Sequence, residues 1–151
     1  MLHITRFHLR AAWLALIIVI ALAKSVRADK EPFTATGDAS VTDRVIHHEF
    51  GTRTSFTLEG SGDPIGDFTG DGVCYVTAIG IIHNGQATLV DQAGDQVAIA
   101  FDGNVDDDGT FSGEFTIEGG TGAYKGAAGY GTFAGTSAGG IQFTLDGVIN
   151  R

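Results

Sequence analysis

A chain of 151 residues with one cysteine and 23 glycines leaves room for one core and no internal disulfide framework. Its 18 acidic and 9 basic residues give a formal charge of −9. That excess disfavours nucleic acid and anionic membrane surfaces as partners, because both are polyanions.

The chain opens on a leader-like pattern. Arg6 and Arg10 precede a thirteen-residue apolar run, Ala11 to Ala23, and the polar KSVRADKEP follows. The run is short of the roughly 20 apolar residues that a membrane span needs, and it fits a secretory signal peptide. Cleavage is placed after Ala28, with Val26 and Ala28 as the small residues; Ala21-Leu22-Ala23 offers a second site, and a retained N-terminal anchor is the alternative. No cysteine follows the apolar run to carry a lipid. Residues 1–28 are thus expected to be a signal peptide and 29–151 a single domain, secreted or periplasmic and off the membrane after cleavage. That domain keeps five Lys and Arg against all 18 acidic residues, a formal charge of −13.

Beyond the leader come short segments rich in β-branched and aromatic residues, and no amphipathic helical window. Phe33 to Thr36 and Val41 to Phe50 open the series. Thr52 to Leu58, Val73 to Ile82, Ala87 to Asp91 and Gln96 to Phe101 follow, then Phe111 to Glu118, Gly129 to Ala134 and Ile141 to Ile149. Turn signals part them: GSGDPIGD, HNGQ, QAGD, DGNVDDDG and GTSAGG. Eight or nine strands at this spacing predict an all-β sandwich or barrel. Alternation sets Val97, Ile99 and Phe101 on one face, as it does Phe111, Phe115 and Ile117, and Ile141, Phe143 and Leu145. The run VCYVTAIGII is apolar on both faces, which predicts either a lumen on one side and a partner subunit on the other, or a central strand under a loop.

Residues 119–135, GGTGAYKGAAGYGTFAG, hold seven glycines in seventeen positions. A P-loop would need Lys-Ser or Lys-Thr after the last glycine and a helix behind it; a dinucleotide fingerprint would need GxGxxG after a parallel strand. Neither pattern is met, so no nucleotide cofactor is expected. Glycine at 119, 120 and 122 permits a tight corner with positive φ, Tyr124 supplies a plug, and the later glycines allow the bending of a small closed barrel.

FTIEGGTGAYKGAAGYGTFAG resembles the GGTGxYxGAxGxG signature of the allene oxide cyclase and dirigent superfamily, and is closest to its exported bacterial members. ATLVDQAGDQVAIAFDGNVDDDGTFSGEF resembles the hairpins that precede that signature, and IQFTLDGVI its closing strand. The likeness runs from about Gln86 to Ile149. It implies an eight-stranded antiparallel β-barrel with an apolar lumen, frequently a homo-oligomer. Plant relatives cyclise an unsaturated fatty-acid epoxide or steer radical coupling, with no metal and no nucleotide; their lumen groups do not map onto particular positions here.

Candidate chemistry is sparse. In RVIHHEF, His47 and Glu49 share a strand face and form a possible acid–base or metal-binding pair, although no third ligand is fixed and a solvated strand explains the same letters. Cys74 has no neighbour to lower its pKa and reads as a small buried hydrophobe. Tyr75 reads either as core or as a hydroxyl aimed into the lumen. Two acidic stretches raise calcium: Asp67, Thr69, Asp71 and Gly72 in GDFTGDG, and Asn104, Asp106, Asp108 and Gly109 in NVDDDG. The twelfth-position glutamate is missing from both, where Ala78 and Phe115 stand. Glu114 lies one residue early, and Asp-Gly turns account for the pattern equally.

The expected function is the binding of a small apolar molecule in the lumen, with Cys74, Tyr75, Phe101, Phe115 and Phe143 as lining candidates. The alternatives are a cofactor-free isomerase or cyclase using Glu49, Tyr75 and His47, and a structural barrel whose interior is filled by side chains. No metal and no organic cofactor is assigned.

Overall fold

The computed structural model describes residues 30–151, so the leader segment lies outside the described residues. Eight strands run in chain order around a closed antiparallel barrel: β1 Lys30–His47, β2 Gly51–Asp63, β3 Gly66–Val76, β4 Ile81–Asp91, β5 Gln96–Val105, β6 Thr110–Gly120, β7 Ala128–Thr136 and β8 Ile141–Asn150. β8 pairs with β1 to seal the cylinder. A single 3-10 turn, Gly122–Tyr124, interrupts the all-β path.

Three expected elements change. HNGQ, read as a turn, lies inside β4, where the ladder to β5 shifts between Ile82 and Gly85 and Asn84 takes φ +50°. The segments at 33–36 and 41–50 are one strand, β1, which carries a bulge between Val41 and Asp43. The run VCYVTAIGII is a hairpin: β3 ends at Val76, Thr77 to Gly80 turn, and β4 begins at Ile81. Gly80 takes φ +80° there, and the amide of Ile81 donates to the Thr77 hydroxyl at 3.0 Å. Apolar character on both faces arises because two strands were merged into one, so no doubly covered strand is needed.

Glycine and phenylalanine build the wall together. Inward positions at 72, 85, 113 and 131 are glycine, and aromatic rings occupy the space that a Cβ would fill: Phe56 over Gly72, Phe101 over Gly85, Phe133 over Gly113 and Phe115 over Gly131. A sheet this tightly curved brings inward side chains into one another, so large and hydrogen side chains alternate around the lumen. Outward positions carry Asp38, Glu59, Asp71, Asp102, Glu114 and Asp146, all exposed, so the outer wall presents charge where a lipid-spanning barrel would present an apolar band.

The two ends differ. The β2–β3, β4–β5 and β6–β7 turns, the start of β1 and the end of β8 gather at one end, where Ile65, Tyr124 and Ala127 are buried with Phe33, Val97 and Ile149. Burying each such large side chain contributes about 1.5–3 kcal/mol. Asp95 holds the plug by accepting from the Ala123 amide at 2.9 Å, and the Thr121 hydroxyl accepts from the Gln96 amide at 2.9 Å. Arg151 pairs with Glu31 and lies 5.6 Å from the Tyr124 ring centre. Burial pushes the Tyr124 phenol up, with the carboxylate of Asp91 adding to the effect. The opposite end, formed by residues 48–50, 77–80, 106–109 and 137–140, has no such plug.

Candidate functional site

The upper half of the barrel encloses a cavity of about 680 Å³ that opens between those four turns. Leu58, Leu89, Ile99 and Phe115 form its floor, and Phe56, Phe101, Phe133, Phe143 and Leu145 its walls. Strand parity sets this lining: Thr52, Thr54, Phe56 and Leu58 on β2 all point inward, as do Cys74 and Val76 on β3. The plug residues Phe33, Ile65, Tyr124 and Ile149 do not reach it, so the cavity is a cup rather than a channel. Its rings meet edge to face or tilted, Phe101 against Phe133 at 5.6 Å and Phe56 against Phe101 at 6.3 Å, which holds the walls in a defined shape.

Polar groups are few and high. Arg44, His47 and His48 ring the mouth with Thr77 and Ser137; Thr52 and Thr54 descend one wall. Cys74 is the chemically reactive group deepest in the lining, but it is 8% exposed and burial pushes its thiol up to about 11. A thiol so placed stays protonated and acts as a small apolar filler.

The expected site residues fall in three places. Cys74, Phe101, Phe115 and Phe143 line the cavity, and His47 touches its rim. Glu49 sits exposed at the tip of the β1–β2 turn, away from the lining. Tyr75 lies on the outer wall, because both its strand neighbours, Cys74 and Val76, face inward. There Tyr75 stacks on His83 at 5.6 Å and meets His47 at 5.8 Å and Phe50 at 6.2 Å. Nε2 of His83 donates to the Phe50 carbonyl at 2.9 Å and Asn84 Nδ2 donates to His83 Nδ1 at 3.1 Å, so the cluster straps the β1–β2 turn to β4. His47, Glu49 and Tyr75 do not converge on one reacting point.

The two acidic stretches lie in different settings. Asp67, Thr69 and Asp71 lie on β3, an extended strand, where alternate residues stand roughly 7 Å apart and do not converge on a centre. Asp106 and Asp108 sit in the β5–β6 turn and are spent on Thr110: Asp108 accepts its amide at 2.9 Å and its hydroxyl at 2.7 Å. Those bonds, the hydroxyl's foremost, hold the Asp108 carboxyl below its ordinary value. Among the described residues no three His, Cys, Asp or Glu side chains group closely enough to hold a metal.

Arg44, Ile46 and His48 at the mouth, and Thr52, Thr54, Val76 and Ile82 in the wall, were not singled out in the sequence. For β2 the signal was present, since Thr54, Phe56 and Leu58 alternate. For Arg44 it was masked by the bulge at Thr42, which reverses the parity of β1 above it.

Fold and site together define a closed eight-stranded antiparallel barrel, plugged at one end, with an apolar cup open at the other. No protein family, curated protein or solved structure matches the chain.

Proposed function

We propose that this is an exported barrel of the allene oxide cyclase and dirigent type that holds a small apolar molecule in its lumen. The observation that carries the reading is the cup itself. At about 680 Å³ it falls within the range of ligand sites, roughly 300–1,000 Å³, and its walls are aromatic and aliphatic with polar groups confined to one wall and the rim. A filled barrel of eight strands needs no such volume, because side chains alone occupy it. Binding is favoured over conversion because, among the described residues, the cup's lining holds no carboxylate to pair with the rim His47, and its deepest reactive group is a thiol held protonated. Export is supported by the basic, apolar and small-residue order of residues 1–28.

The test uses a neutral fluorescent naphthylamine. Saturable binding with a blue-shifted emission is expected. Ala87→Trp, which projects an indole from β4 into the cup, should weaken binding at least about tenfold, or roughly 1.4 kcal/mol. No saturable signal from the wild type, or equal binding by a folded Ala87→Trp chain, rejects the proposal.

A further inference from the structure

A closed barrel has no free edge unless one strand outruns its neighbour. β1 does so. Its ladder to β8 ends with Ala39 opposite Ile141, while its ladder to β2 continues to His47 opposite Gly51. Among the described residues, Ser40 to His47 therefore present an unpaired backbone edge at the cavity mouth. Unpaired amide and carbonyl groups in a row template another strand. Apolar side chains add to that tendency here: Val41, Val45 and Ile46 are 37%, 43% and 75% exposed.

We infer that this edge pairs with the same edge of a second copy of the chain, antiparallel about a two-fold axis at Val45, and that the dimer walls in the mouth of the cup. The argument for a second copy is charge complementarity. A two-fold perpendicular to the sheet sets residues of the same face opposite one another, so each register of the regular stretch above the bulge, from Asp43 on, is centred on one residue. Centring on Asp43 apposes two carboxylates, and centring on Arg44 apposes two guanidinium groups. Like charges directly opposite destabilise a ladder. Centring on Ile46 sets Arg44 against His48, two basic groups. Centring on Val45 sets Val45 against its equivalent, Asp43 of each copy against His47 of the other, and the aliphatic stem of Arg44 along Ile46.

That last register also completes the site. Above the bulge, Arg44 and Ile46 pair with the inward residues Thr54 and Thr52 and line the cavity mouth. The second copy's strand stands where β8 stops, so its own Arg44 and Ile46 extend the rim on the side that β8 leaves open. The paired stretch is short against the roughly 20–30 residues a side of stable complexes, so the dimer dissociates on dilution.

Sedimentation velocity on the exported chain tests this. The expected result is a concentration-dependent rise from the mass of one chain to twice that between about 1 µM and about 100 µM. Asp43→Lys and His47→Glu, each alone, should abolish the rise, and the two together should restore it with the charges exchanged. Val45→Cys should form a disulfide-linked dimer on mild oxidation, whereas Tyr130→Cys, more exposed but at the plugged end, should not. A chain that stays monomeric, a dimer indifferent to both single charge reversals, or a cross-link at position 130 as ready as at 45 overturns the inference. So does retention on phosphatidylcholine vesicles without dimerisation, which assigns the edge to a lipid surface. Should a charge reversal fail to fold, the cross-linking pair still decides.

Discussion

Gly131→Ala tests the principle that glycine is required where a ring lies on the wall. Gly131 faces inward on β7 beneath Phe115. A methyl there lies 2.7 Å from Phe115 Cε1 and 2.6 Å from Gly147 Cα, and closer still to the Asp146 carbonyl oxygen. Carbon pairs settle at about 3.5–4.0 Å, so relief needs roughly 1 Å of movement. Phe115 has little room to give, being 2% exposed and packed against Phe33 at 6.1 Å. The other two atoms are backbone of β8. Overpacking of this kind costs about 1–3 kcal/mol, and a backbone obstacle places this case at about 2–3. For a domain of this size that lowers Tm by roughly 10 °C. Gly94→Ala is the control: its φ is +88° and nothing lies within 4 Å, so only the left-handed backbone is penalised, by about 1 kcal/mol. Urea and thermal unfolding of both variants provide the comparison. A Gly131→Ala protein no less stable than Gly94→Ala would show that the wall yields, and the packing argument would fail.

Other outcomes follow from the same geometry. Cys74, raised to about 11, should resist a disulfide reagent at pH 8 in the native chain and react stoichiometrically once urea unfolds it; native labelling within minutes would contradict its burial. For Asp108, a folded pKa below the unfolded one stabilises the fold above the unfolded value, and the contribution disappears as pH falls through the folded value. Stability should therefore decline as pH drops below the ordinary carboxylate range, and Thr110→Val should make that decline shallower while NMR titration shows the Asp108 pKa rising; an unmoved titration would separate Asp108 from Thr110.

The strands whose alternation is clean were legible before any coordinates. Val97, Ile99 and Phe101, or Ile141, Phe143 and Leu145, point inward as their period of two requires. Legibility failed where backbone geometry departs from that period. Gly70 and Gly72 read as loop signals yet lie inside β3, where the ring of Phe56 occupies the space over Gly72. Ala78-Ile79-Gly80 read as strand yet forms a turn, because Gly80 alone there accepts a positive φ. Tyr75 was assigned by residue type, but its parity within β3 places it outside.

Composition and pattern alone determined an all-β chain with a glycine-dense wall, acidic outside and apolar within, because the pleat sends alternate residues to opposite faces whatever the neighbours. Only the tertiary structure decided that the barrel is a cup. Which end is plugged depends on Ile65 from one turn and Tyr124 and Ala127 from another folding under the sheet. The volume left above them depends on how rings from different strands meet. Such contacts join residues distant along the chain, and no local period encodes them.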